Sequence, residues 1–147
     1  MRPYIYKTIV RFSDTDLYGV AHHSNYFRWL EEARIQVFEE LVGLTLDWME
    51  KNDFRFPVIS VEGKYKKSAV ARQPLSIHTF LHCSSAAKLT FEYEIKDRQG
   101  NLYFTGKTQH AITRENKLLL KMPSELEKAI KQKMQDCKEE YFITWKN

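Results

Sequence analysis

The feature that most limits the possible folds is a series of four strand-like segments that follows one long amphipathic segment. The alternation is clearest over residues 89–97, where apolar Leu89, Phe91, Tyr93 and Ile95 alternate with polar Thr90, Glu92, Glu94 and Lys96. A period of two is typical of a strand with one buried and one exposed face. We therefore predict strands over residues 58–70, 75–84, 89–97 and 102–114. Turn-forming residues at 72–74, 84–87 and 99–101 favour antiparallel hairpins between them.

The segment before these strands has a helical period. Between Asn25 and Val42 apolar residues recur every three or four positions, which predicts an amphipathic helix with Tyr26, Leu30, Ala33, Val37 and Leu41 on its buried face. Gly43 is well placed to end this helix in a left-handed conformation. Residues 4–12 alternate and predict a strand before the helix, and residues 44–52 predict a short helical or irregular piece.

The C-terminal part is predicted to be helical again. From Pro123 onward, Ser124 and Glu127 stand in capping-box register, and Leu126, Ile130, Met134 and Cys137 share one stripe. The chain of 147 residues then reads as one domain, residues 1–147, with 123–137 as its C-terminal helix. The element order predicts an α+β fold in which a curved antiparallel sheet wraps around one central helix. The exposed edge of such a sheet favours dimerisation.

Composition excludes several classes of protein. Hydrophobic residues make up 43% of the chain and charged residues 29%, which suits a globular core and argues against disorder. Cys83 and Cys137 have no metal-type spacing, so we expect free thiols in a reducing compartment. No stretch approaches the roughly 20 apolar residues of a membrane span, and the first residues lack the apolar region of a signal peptide. We expect a cytoplasmic protein without a membrane span.

The charge favours a polyanionic partner. Lysine and arginine total 23 against 19 acidic residues, which gives a net charge of +4. This balance suits a nucleotide-like ligand or a nucleic acid. The strands lack the aromatic and basic pattern that stacks bases, so we expect no nucleic-acid partner.

The densest polar cluster, residues 14–26, lies where the first strand meets the long helix. A helix start offers unpaired amides that polarise a carbonyl oxygen, and Asp16 is placed to act on that carbonyl as nucleophile or as a base that orients water. The competing interpretation is that Asp14 and Asp16 only cap the helix. His22 and His23 lack a third metal ligand, so no metal site is predicted. Glu31 and Arg34 have the spacing of a surface ion pair.

This cluster resembles the signature of the hotdog-fold acyl-CoA thioesterases of the 4-hydroxybenzoyl-CoA thioesterase family. The similarity spans about residues 4–130 and includes Phe56-Pro57-Val58 and Tyr65-Lys66-Lys67-Ser68-Ala69. The matching positions of the cluster are Asp14-Thr15-Asp16, Gly19-Val20, His23, Asn25-Tyr26, Glu31 and Ala33-Arg34. His23 favours the branch that resembles the Tol-Pal-associated thioesterases. Ala21, His22 and Leu17-Tyr18 depart from common family residues, which leaves the shape of the acyl pocket open.

The resemblance implies a helix wrapped by a curved sheet, subunits that pair into dimers or tetramers, and active sites at the subunit interface. It implies that Asp16 is the catalytic carboxylate and that an amide near His23 receives the thioester oxygen. It also places Gly19, Val20, Asn25 and Tyr26 at the substrate.

The implied reaction is hydrolysis of an acyl-CoA to free acid and coenzyme A. A thiol has a pKa near 8.5 and leaves as thiolate without a strong general acid, so one carboxylate and an oxyanion site suffice, and we expect no cofactor. The phosphates of coenzyme A need basic residues, for which Lys66, Lys67, Lys88 and Arg114 are candidates. Two alternatives stay open, namely an acyl-carrier-protein thioesterase and a non-catalytic module that binds acyl-CoA.

Overall fold

Within the residues that the structure describes, the fold combines one large sheet, one small sheet and three α-helices. A computed structural model describes residues 2–40, 43–137 and 141–146. The large sheet contains β1 (Tyr4–Ile9), β3 (Val58–Tyr65), β4 (Pro74–Ser84), β5 (Lys88–Lys96), β6 (Leu102–Ala111) and β9 (Ile143–Lys146). The small sheet contains β2 (Phe54–Arg55), β7 (Thr113–Arg114) and β8 (Lys117–Leu118). The helices are α1 (Ser24–Glu40), α2 (Leu46–Lys51) and α3 (Ser124–Asp136).

The large sheet has the order β1–β4–β5–β6–β3 and covers α1 with one face. The alternation predicted for β5 is confirmed, because Leu89, Phe91, Tyr93 and Ile95 are all buried. The helix contributes its predicted stripe to the same core: Tyr26, Leu30, Ala33 and Val37 are buried. The predicted α+β arrangement of a sheet around one central helix is therefore confirmed.

Helix α1 begins at Ser24, one residue earlier than predicted. The predicted end of the helix, Leu41 and Val42, lies outside the described residues. Gly43 follows with a φ of +66°, in the left-handed region, and its N–H donates to the Glu39 carbonyl at 3.2 Å. The predicted left-handed helix end is confirmed.

One predicted hairpin is wrong. Strand β3 ends at Tyr65 rather than at residue 70, and it pairs with β6 instead of β4. The segment 66–73 crosses the end of the sheet, held by Lys66 N–H donating to the Tyr103 carbonyl at one edge and by Val10 N–H donating to the Gln73 carbonyl at the other. Strand β4 then pairs with β1 and β5. The hairpins β4–β5 and β5–β6 form as predicted.

The C-terminal region differs from the prediction in two ways. Ser124 is the first residue of α3 rather than its cap, because Pro123 occupies the cap position without a side-chain hydrogen bond. Leu126 and Ile130 are buried as predicted. Strand β9 was not predicted, and it lies parallel to the second half of β4. Four residues are too short to show a clear period.

A close approach of two strands occurs at Gly63 and Gly106, which face each other on β3 and β6. A Cβ atom on Gly63 would lie 2.6 Å from the Phe104 ring, and one on Gly106 would lie 2.9 Å from it. The ring therefore occupies space that only glycine leaves open at both positions.

Both cysteines are free thiols, as expected, and burial raises the pKa of Cys83 to about 12. Among the residues that the structure describes, none of the helices combines the length and the apolar character needed to cross a membrane.

Candidate active site

The loop between β1 and α1 folds back on itself around Asp16. The Asp16 N–H donates to the Val20 carbonyl at 2.9 Å, and the Gly19 N–H donates to the Asp16 carbonyl at 3.1 Å. Gly19 has a φ of +77°, a conformation that side chains strain. Its neighbours Leu17 and Tyr18 are 101% and 89% exposed, so apolar side chains stand in solvent beside the carboxylate of Asp16.

Asp14 anchors this loop from the inside. Its side chain is buried, with one carboxylate oxygen accepting from the Arg28 guanidinium at 2.7 Å and the other from the Arg11 N–H at 2.8 Å. Its carbonyl accepts from the His22 N–H and from the Asn25 side-chain amide, both at 2.8 Å. Asp14 therefore does not cap α1, since among the described residues its carboxylate accepts only from Arg11 and Arg28 and so holds the loop to the side of the helix.

Asp16 has a different environment. It is half-buried, and one of its carboxylate oxygens accepts from the Tyr18 N–H at 2.8 Å, which closes a local turn. The other oxygen accepts no hydrogen bond from any residue in the described ranges. Asp16 thus combines a fixed position with one oxygen open to a reactant.

The start of α1 supplies an open backbone donor. The His23 N–H donates no hydrogen bond within the described part of the chain, whereas the Ser24 N–H donates to Nδ1 of His22 at 3.3 Å. The ring centres of His22 and His23 lie 4.1 Å apart, so these adjacent side chains contact each other. The His23 carbonyl accepts from the Tyr65 hydroxyl at 2.9 Å, which ties the helix start to β3. An N–H held in this way can donate to a carbonyl oxygen.

Three other residues of the predicted site, Asn25, Tyr26 and Val20, hold the loop and the start of α1 in place. Asn25 binds the Asp14 carbonyl, as described above. The hydroxyl of Tyr26 is buried and accepts from the Ala69 N–H at 3.3 Å, and burial raises the pKa of this phenol. Val20 is half-buried and pairs with Val70.

The four basic candidates occupy two ends of the sheet. Lys66 and Lys67 are exposed and directly follow β3, next to Tyr65 at the loop. Lys88 begins β5 opposite Ala111, and Arg114 lies on β7, both at the other end. Arg114 forms an ion pair with Glu125 at 3.5 Å and lies 4.6 Å from the ring centre of Phe54. Within one chain the structure brings only the first pair near the loop.

Sequence reasoning missed Arg28 and Tyr65 as parts of the site. The helical period places Arg28 on the outer face of α1, yet its guanidinium reaches Asp14 at 2.7 Å and Glu32 at 3.0 Å. The available signal was its spacing of four residues to Glu32 on the same helix face. The expected ion pair of Glu31 with Arg34 is not found among the described residues, because Arg34 turns inward and donates to the Tyr93 hydroxyl at 3.2 Å.

Arg34 begins a buried chain of hydrogen bonds beneath the helix. The Tyr93 hydroxyl lies 2.8 Å from the Thr108 hydroxyl, which lies 3.0 Å from Nε2 of His110. Nδ1 of His110 lies 3.1 Å from the Phe56 carbonyl, which can only accept, so Nδ1 carries the proton and Nε2 accepts. Each group therefore donates to the next. Burial lowers the pKa of His110 to about 4 and raises that of Tyr93 to about 12.

No group of three or more His, Cys, Asp or Glu side chains in residues 2–40, 43–137 and 141–146 is arranged to hold a metal ion.

Comparison with known proteins identifies the family. Residues 10–131 match the model of the Thioesterase-like superfamily. A Bacillus subtilis protein provisionally named acyl-CoA thioesterase YneP is 30% identical over 101 residues, which is 69% of this chain and 72% of that protein. A hypothetical protein from Aquifex aeolicus has a similar structure, with a TM-score of 0.80 and 27% identity over 87% of this chain and 99% of that one. The DHNA-CoA thioesterase of Staphylococcus aureus has a TM-score of 0.77 and 25% identity over 97% of this chain and 99% of that chain. The chain belongs to the Thioesterase-like superfamily and is a thioester hydrolase with the hotdog fold.

Proposed function

We propose that the protein hydrolyses the thioester of an acyl-CoA to a free acid and coenzyme A. The observation that carries this proposal is that one hydrogen-bonded loop carries both an Asp16 oxygen and a His23 N–H that bond to nothing in the described residues. The names of the Bacillus subtilis and Staphylococcus aureus relatives support a CoA thioester as substrate.

The reaction follows from these two groups. The thioester oxygen accepts from the His23 N–H, which stabilises negative charge as the carbonyl carbon is attacked. Asp16 either attacks that carbon and forms an anhydride that water opens, or takes a proton from the attacking water. Coenzyme A leaves as a thiolate, so no general acid is required. His23 orients the thioester or the carboxylate, and Gly19 and Val20 shape the loop around the acyl group.

We also propose that two chains pair through β3. All eight residues of this strand are exposed, and within the described residues it pairs only with β6. Its apolar side chains Val58, Ile59 and Val61 are 47%, 57% and 49% exposed. An unpaired strand edge lined with apolar groups favours addition of another strand. Because Tyr65 on β3 touches His23, such a dimer would place the partner chain at the active site, as the family resemblance implies.

Further assignments rest on the sequence alone. We propose that residues 1–147 act as one domain, that His23 marks the Tol-Pal-associated branch, and that the protein works in the cytoplasm. Lys66 and Lys67 are proposed contacts for the phosphates of coenzyme A, as are Lys88 and Arg114 if the partner chain presents them.

The proposal is tested by turnover of a panel of acyl-CoAs, from short and long aliphatic to aromatic, with free thiol as the readout. Asp16→Asn removes the charge that both routes need and keeps the size of the side chain. We expect it to fold and to lose about 10³-fold in kcat on every substrate that the wild type hydrolyses. Asp47→Asn on the exposed start of α2 is the matched control and should retain full activity.

An Asp16→Asn protein with near wild-type turnover would disprove the assignment of Asp16. If the wild-type protein hydrolyses no acyl-CoA, the same assay with acyl groups on acyl carrier protein tests the first alternative. Binding of acyl-CoA without hydrolysis of either substrate would indicate the non-catalytic alternative.

A further inference from the structure

A concave surface lies on the outer face of the large sheet, away from α1. It is a groove of about 830 Å³ over β1, the start of β4 and the turn between β5 and β6. Part of its floor is apolar: Ile5 and Ile9 are 46% and 50% exposed, and Pro74 lines it as well. Apolar side chains that are half-exposed inside a concave surface favour a ligand with a flat or apolar part.

The charges around this groove are almost all positive. Lys7, Arg11, Lys96 and Arg98 line it, and none of them forms an ion pair with a residue in the described ranges. The one carboxylate in the lining, Asp97, is occupied by its own turn. It accepts from the N–H groups of Gln99 and Asn101 and from the Asn101 side chain, each at 2.9 Å. These bonds hold the Asp97 carboxylate in its turn and it keeps its negative charge, so four cations and one carboxylate give the lining an excess of positive charge.

The groove begins next to the catalytic loop. Arg11 lines the groove, and its N–H donates to the carboxylate of Asp14, the residue that anchors the loop. Arg11 and Asp16 are five residues apart, which limits their separation to at most about 18 Å. Lys96 is paired with Leu102, and the next residue, Tyr103, accepts from Lys66 N–H, so the groove and the lysines after β3 share one end of the sheet.

We propose that this groove, with Lys66 and Lys67 at the same end of the sheet and in place of Lys88 and Arg114, binds the nucleotide end of coenzyme A, an inference that rests on the proposed function. The nucleotide combines a flat base with a pyrophosphate and a ribose phosphate, which matches an apolar floor surrounded by cations. The pantetheine arm separates the nucleotide from the thioester, which matches a groove that starts beside the loop without containing Asp16. Charge-assisted contacts with phosphate are stronger than ordinary hydrogen bonds, so the groove contributes to affinity rather than to the chemical step.

The test compares two substrates with the same acyl group, one on coenzyme A and one on pantetheine, which lacks the nucleotide. The variant Lys7→Gln with Lys96→Gln removes two charges from the groove. We expect its KM for the acyl-CoA to rise about tenfold with kcat unchanged, because each charged contact contributes measurably to binding. Its kinetics with the pantetheine thioester should equal those of the wild type. Lys117→Gln with Lys128→Gln, two exposed lysines outside the groove, is the control with the same net charge.

Direct binding separates this proposal from the proposed function. Adenosine 3′,5′-bisphosphate, a fragment of coenzyme A, should bind the wild type and bind the groove variant at least about tenfold more weakly. Equal KM values of variant and wild type for the acyl-CoA would overturn the groove assignment while leaving the thioesterase assignment intact. If the variant loses turnover only with acyl groups on acyl carrier protein, the groove docks that acidic protein and the nucleotide assignment is wrong. If the wild type hydrolyses no thioester, the comparison of nucleotide binding between wild type and groove variant still shows whether the groove is the nucleotide site.

Discussion

The two aspartates of Asp14-Thr15-Asp16 differ in what surrounds each carboxylate. The Asp14 carboxylate accepts two hydrogen bonds, one from a guanidinium, whereas Asp16 has one oxygen engaged locally. In Asp14→Asn, the side-chain NH₂ group would face either the Arg28 guanidinium or the Arg11 N–H, so two hydrogen-bond donors would meet in the buried pocket. We expect the free energy of unfolding to fall by about 2 kcal/mol, a moderate value because Arg28 is 36% exposed and screened by water.

Urea unfolding measures this difference, with the exposed Asp136→Asn as the control. A change in Asp14→Asn below about 0.5 kcal/mol, the range of ordinary surface substitutions, would show that the loop does not depend on this carboxylate.

The sequence predicted the cluster that contains both aspartates, but it did not predict which one is anchored. That choice depends on Arg28, which is separated from Asp14 by fourteen residues and reaches it only after α1 has formed. Helix periodicity places Arg28 on an outer face, and it carries no information about which loop folds over that face.

At the scale of elements, β3 is the strand through which we propose that two chains pair. Val61→Lys places a charge on its exposed apolar edge, so we expect the dimer to dissociate and activity to fall with it. Sedimentation velocity measures the change in mass. Leu118→Lys, which introduces the same charge at a 63% exposed position on β8, should remain a dimer. A monomeric wild type, or a dimer that persists in Val61→Lys, would contradict pairing through β3.

Most elements could be predicted from their period, because α1, β4 and β5 each bury one regular face. The partner of β3 could not, because a strand exposed on both faces lacks the alternation that fixes pairing, and the turn at 72–74 favoured the wrong neighbour. Strand β9 was missed because its four residues are ordered by pairing with β4.

At the scale of the whole molecule, the buried chain from Arg34 to the Phe56 carbonyl links α1 to β5, to β6 and to the segment between β2 and β3, and it depends on neutral His110. The folded protein holds the pKa of His110 at about 4, against 6.5 for a free histidine. Between these values the unfolded chain binds more protons, so the free energy of unfolding decreases as the pH falls from 6.5 to 4. Over this pH range, protonation of His110 lowers the free energy of unfolding by about 3 kcal/mol.

Urea unfolding between pH 7 and pH 4 measures this dependence in the wild type and in His110→Gln. The variant is expected to be less stable at pH 7 and to lose less stability on acidification. If the free energy of unfolding falls equally with pH in the two proteins, His110 is not the cause of the loss of stability in acid.

The facing glycines of β3 and β6 have a consequence for how the protein can evolve. Sliding β3 by two residues along β6 would bring Val61 or Tyr65 to the position of Gly63, where the Phe104 ring leaves no room for a side chain. The register of the outermost strand is thus fixed from inside the subunit. In the proposed dimer, substitutions on the exposed surface of β3 can therefore change how strongly a second copy binds without shifting β3 along β6.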